Sequence, residues 1–182
     1  MNPEFTESLS AAADLRGTAL GFSRSSLAPV WQLNRYFLET LSDCARHPAW
    51  CGSSWEIALG RQLAYLVPPL REELAKSPVS LACIAPSPGG SGSIFTEVDK
   101  GRTPPDFLAP DRALQLTQLT LTLAWTLARS DLVSTAIVFG FSQRQAREIG
   151  GLAVQEIPAI ATKLCCAISS DWDQAISSIG TT

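Results

Sequence analysis

From Pro110 to Gly151 the chain keeps an apolar character broken by few charges, and the way this stretch folds decides the architecture. Leu119, Leu121, Leu123, Trp125 and Leu127 alternate with Thr120, Thr122, Ala124 and Thr126, a period of two that suits a strand with one buried face. The same residues also fit a helix. Leu116, Leu119, Leu123 and Leu127 then form one stripe, with Leu121 and Trp125 beside it. Pro110 and Asp111 match a first helical turn, where proline loses no hydrogen bond and the acid meets the positive end of the dipole. A strand would need a partner, and no strong second strand lies near. The helix is the preferred reading of 119–127, with the strand as its alternative.

The flanking segments carry clearer punctuation. Residues 131–139 read as a short helix, Gly140-Phe141 as a turn, and Ser142 as the cap of a helix running to about Ile149, stopped by Gly150-Gly151. A helix over 154–168 would turn Ile157, Ile160, Ala161 and Leu164 inward. Ser170 would cap a last short helix with Trp172, Ile176 and Ile179 on its apolar face. Upstream, Pro29 opens a pattern placing Val30, Leu33, Phe37, Leu38, Leu41 and Ala45 on one face, and Pro48 and Gly52 stop it. A second stripe runs through Trp55, Leu59, Leu63 and Leu66. Pro68-Pro69 interrupts it, and "LREELAKS" adds a short helix. Residues 1–26 read as a flexible arm, 27–84 as a helical region and 108–182 as a second one. Between these regions, 85–107 is dominated by Gly, Ser and Pro and reads as a linker or mobile loop. The fold class is mainly α.

Composition narrows the function more than it defines it. With 182 residues, 46% apolar and 17% charged, the chain can bury a core and is not disordered throughout. No apolar run reaches the roughly 20 residues that span a bilayer. The start, "MNPEFTESLSAAADLRG", lacks the basic and apolar regions of a secretory signal, and five cysteines without framework spacing suit reduced thiols. A cytoplasmic protein without a membrane role is expected. The single histidine, His47, removes most acid–base and nucleophile designs. "SPGGSGS" (87–93) lacks the lysine of a phosphate loop, so no enzyme and no cofactor are expected. Cys44, His47 and Cys51 have a spacing that could hold zinc, but Cys44 fits the helical stripe, so no metal is assigned.

Nucleic-acid binding is left with one foothold. Around the 140–142 turn, Ala136, Gly140, Ala146 and Ile149 fit the contact positions of a helix-turn-helix, while Gln143, Arg144, Gln145 and Arg147 would face outward. Arginine and glutamine suit base edges. The net charge of −3 argues that any DNA contact is a small patch or is shared with a basic partner. The same segment could instead pair subunits, with Leu121, Trp125, Phe139 and Phe141 as candidate interface residues, or form an ordinary core turn.

This stretch resembles the flagellar transcriptional regulator FlhD and its relatives on mobile elements. Leu121, Leu123, Ala124, Leu127, Asp131, Ala136, Gly140 and the helix from Gln143 would match that family's order of helices, with Ile157, Ile160 and Ala161 in the last one. The likeness covers about residues 119–168. "AWTLAR" at 124–129 echoes the related FlhC subunit, whose four-cysteine zinc cluster is not reproduced here. The resemblance implies an all-α activator subunit in a homo- or hetero-oligomer, working with an FlhC-like partner that makes much of the contact with promoter DNA.

Overall fold

A computed structural model of the protein describes residues 24–46, 61–62, 64–84, 108–165 and 168–170. The expected linker at 85–107, the apolar positions Trp55, Leu59 and Leu63, and the expected helix after Ser170 lie outside these residues. The protein is mainly helical: α1 (Arg24–Arg46), α2 (Pro68–Ala75), α3 (Pro110–Ala128), α4 (Leu132–Phe139), α5 (Gln143–Gly150) and α6 (Ile157–Leu164). Two short strands, β1 (Ala82–Ile84) and β2 (Ile168–Ser170), pair antiparallel with Ala82 opposite Ser170 and Ile84 opposite Ile168.

The stretch from Pro110 is one helix, α3, and its threonines explain how a strand-like alternation folds this way. Thr117 and Thr120 are buried, and their hydroxyls donate back along the helix to Ala113 O at 2.7 Å and Leu116 O at 2.8 Å. No buried hydroxyl in α3 is therefore left unsatisfied. The buried line runs through Ala113, Leu116, Thr117, Thr120, Leu121, Ala124 and Ala128. Of the expected leucine stripe only Leu116 is buried: Leu119 is 47% exposed, and Leu123 and Leu127 are only partly covered. Alanines and threonines share this face with Leu116 and Leu121, since α3 is the central element, packed by α1, α4, α5, α6 and β1. At Gly150 the approach is so tight that an added Cβ would stand 3.1 Å from the Ala128 Cβ.

Helix α1 buries Leu27, Val30, Leu33, Phe37, Leu38 and Leu41 as the spacing predicts, each worth about 1.5–3 kcal/mol when fully removed from water. It begins five residues before Pro29, not at it, so residues 24–26 are helical rather than part of an arm. Within α1, Pro29 removes only one backbone hydrogen bond. Asn34 is wholly buried and ties α1 to the chain after α2. Its Nδ2 donates to Ala75 O (3.2 Å), Ser77 O (3.3 Å) and Val79 O (2.9 Å), and its Oδ1 accepts from Leu81 N (2.8 Å). Pro68-Pro69 interrupts the helical path as expected: residues 61–62 and 64–65 are helical, and the helix stops at Leu66. The prolines then start α2, since proline's missing N–H is unneeded at the first turn.

The C-terminal segment departs from the expected single helix over 154–168. Residues Val154–Glu156 form a 3-10 turn closed by Ala153 N donating to Glu156 Oε2 at 2.7 Å. Pro158 then opens α6, which ends at Leu164. Ile157, Ala161 and Leu164 point inward as expected, with Ile160 partly buried. Ser170 does not cap a helix but lies in β2, beside β1. One apolar cluster joins residues from α1, β1 and α3 to α6, so the segments before 85 and after 107 share a core.

Candidate functional site

Two residues fix the geometry of the α4–turn–α5 motif before any functional group is considered. Asp131 caps α4: its Oδ1 accepts from Val133 N and Ser134 N, each at 3.0 Å, and Oδ2 accepts from the Ser134 hydroxyl. The Ser134 hydroxyl, and then its backbone N–H, hold the Asp131 carboxyl below the usual carboxylate range. Helix α4 ends at Gly140 with φ 68° and ψ 22°, a left-handed conformation that glycine adopts without a Cβ clash.

Helix α5 starts with a capping box. Gln145 N donates to Ser142 Oγ at 3.2 Å, and Ser142 N donates to Gln145 Oε1 at 2.8 Å. The cap draws Gln145 inward, where it is 2% exposed, and leaves its Nε2 without a hydrogen-bond partner. Gln145 is therefore not part of an outer reading face, contrary to expectation. Gln143, Arg144 and Arg147 are exposed, while Ala146 and Ile149 fix the opposite side of α5 in the core. Arg144 Nε lies 3.1 Å from Glu148 Oε1, one turn later. Sequence reasoning missed this acid, although its i,i+4 spacing from Arg144 was visible.

The candidate interface residues separate in the same way. Leu121, Phe139 and Phe141 are buried at 0%, 2% and 5% exposure, and the two phenylalanine rings stack at 5.7 Å. They serve this chain's own core, because the turn folds Phe141 back under α4. Trp125 is half-buried: its indole N–H donates to Leu152 O at 2.9 Å, and the Arg129 guanidinium lies 5.0 Å from the ring centroid. The apolar groups left outside are others. Val133 and Ile137 stand one turn apart on α4, exposed at 54% and 42%. Leu119 and Val154 line an open groove of about 540 Å³ between α3 and the start of α6. Tyr36 closes one side, its hydroxyl donating to Gln115 Oε1 at 2.9 Å.

Of the zinc candidates, Cys44 is buried in α1, and burial raises its thiol pKa above the ordinary value. His47 and Cys51 lie outside the described residues. Among the described residues no group of three His, Cys, Asp or Glu side chains could hold a metal ion, and no helix is long and apolar enough to cross a membrane. Compared with known proteins, the chain matches no family, no curated protein and no solved structure.

Proposed function

We propose that this protein is a subunit of a transcriptional-regulator complex, of the FlhD-like kind, in which α5 contacts DNA beside an FlhC-like partner. The observation that carries the reading is the two-sidedness of α5. Gln143, Arg144 and Arg147 face solvent on a helix whose other side is fixed in the core by Gln145, Ala146 and Ile149. A polar helix held rigidly after a left-handed glycine turn can offer side chains to a major groove without first being ordered. The order of elements also supports it: a long leucine- and alanine-rich helix, Asp131, a small-residue helix, Gly140, a polar helix and a last apolar one follow the order that the resemblance implies. With a net charge of −3, this chain cannot supply most of the phosphate neutralisation, so a basic partner is part of the proposal.

A second reading, a helical interaction module with no DNA role, is favoured by the exposed Val133–Ile137 face and the Leu119–Val154 groove. Co-purification with the protein encoded beside it, followed by mobility shifts of the complex, separates the two. The DNA reading requires that changing Arg144 and Arg147 to Ala lowers duplex affinity and leaves assembly intact. An intact complex that binds no duplex leaves the interaction module standing.

A further inference from the structure

Arg144 and Glu148 pair in the less favourable order for a helix. Arg144 is the second residue of α5, near the positive end of the dipole, and Glu148 lies in the last turn, toward the negative end. The reverse order, with the acid first, stabilises a helix more, so this pair adds less to α5 than its geometry alone would give. The geometry is nevertheless well formed, with Nε 3.1 Å from Oε1, and the acid is the more enclosed partner, 24% against 64% side-chain exposure. A negative charge is thus held beside Arg144 and one residue from Arg147, on the face that would meet phosphate.

We infer that Glu148 is a positioning residue for specificity: it occupies Arg144 and opposes non-specific phosphate binding, so that Gln143 and Arg147 decide which duplex is held. This rests on the reading that the complex binds DNA. Gln143 and Arg147 are one turn apart, and a rise of about 1.5 Å per residue sets them roughly 6 Å apart along the axis, close to two base steps. Glutamine suits adenine and arginine suits guanine, so the class of site is a purine-containing major-groove edge. A sequence lacking those purines would offer α5 only phosphate, and there Glu148 subtracts from the attraction.

The experiment uses the assembled complex and two probes, a duplex selected by the wild-type complex from a random pool and an unselected duplex of equal length. Glu148→Gln should raise affinity for the unselected duplex about tenfold and narrow the ratio between the probes. The salt dependence should steepen by roughly one phosphate contact. In the double variant Arg144→Ala/Glu148→Gln the salt dependence should return to the wild-type value. Melting curves on each variant confirm that the fold is retained. Unchanged or weakened binding of the unselected duplex by Glu148→Gln overturns the inference while the DNA reading stands. A steeper dependence that persists in the double variant also overturns it, since Glu148 would then not act through Arg144. A wild-type complex that enriches no duplex from the pool overturns both.

Discussion

Gly150 meets Ala128 where α5 crosses α3, and a Cβ added to Gly150 would stand 3.1 Å from the Ala128 Cβ and 3.4 Å from the Ala128 carbonyl carbon. The neighbour is a methyl group on a packed helix with no rotamer to give way. Gly150 is the last residue of α5, so Gly150→Ala gains less than the roughly 1 kcal/mol of a helix-interior position. It loses part of that gain to this contact, so its net effect should be small. Gly150→Leu cannot be accommodated without separating the helices. A loss of about 1–3 kcal/mol is expected in urea unfolding, relieved in part by Ala128→Gly. Additive effects of the two changes would disprove the coupling.

Asn34 is the second stability test. Asn34→Ala leaves the buried Leu81 N–H without its acceptor and three carbonyls without their donor, for a loss of about 2–3 kcal/mol. Asn34→Asp keeps the acceptor but sets a carboxylate against those carbonyls. Its stability should therefore be worst at neutral pH and improve as the pH falls and the group protonates. A flat pH response of this variant would exclude that arrangement.

Asp131 gives a pH dependence of the opposite sign. Its carboxyl titrates below the ordinary range in the folded state because the Ser134 hydroxyl and nearby backbone N–H groups favour the charged form. The stabilisation is fully present above the unfolded carboxylate value and is lost as pH falls through the lowered folded value. Asp131→Asn keeps a capping oxygen and should flatten this acid limb. Asp131→Ala should cost about 1 kcal/mol at neutral pH. Thermal melts between pH 6 and pH 2 measure both.

Assembly is tested best away from the phenylalanines. Phe141→Asp places an unpaired charge in the core of this chain and should unfold it, so it reports nothing about partners. Ile137→Asp, on an exposed position of α4, should leave the monomer's melting temperature within a few degrees of wild type. If the Val133–Ile137 face packs a subunit, the same change should break the complex in size-exclusion chromatography. Retention of a full-sized complex would remove this face from the interface.

Much of the helical layout was legible because its signals are local. Asp131, Gly140 and Ser142 punctuate α4 and α5 through their own backbone preferences, and the α1 stripe follows a simple spacing. The leucines of α3 misled because leucine content indicates burial only when nothing smaller is needed. Ala128 stands on the inner side because Gly150 of α5 approaches it so closely, a tertiary demand, and Ala113 and Ala124 are buried on the same helix. Gln145 was misplaced for a related reason: a residue at the third position after a serine cap can turn back to the backbone, and exposure by periodicity ignores that. The strands were missed because three residues carry almost no periodicity and their partners lie on opposite sides of 85–107.

That pairing has a consequence for synthesis. β1 leaves the ribosome long before β2, and its partner is among the last described residues to be made. Until then β1 is without its only partner strand among the described residues, next to an apolar cluster that also waits for α3. Closing so long a loop is a slow, late step. The N-terminal helices can form early in translation, but the core is finished only once the residues beyond 107 have been made. In the interval the apolar faces of α1 and β1 lack the α3 to α6 residues that cover them in the finished core.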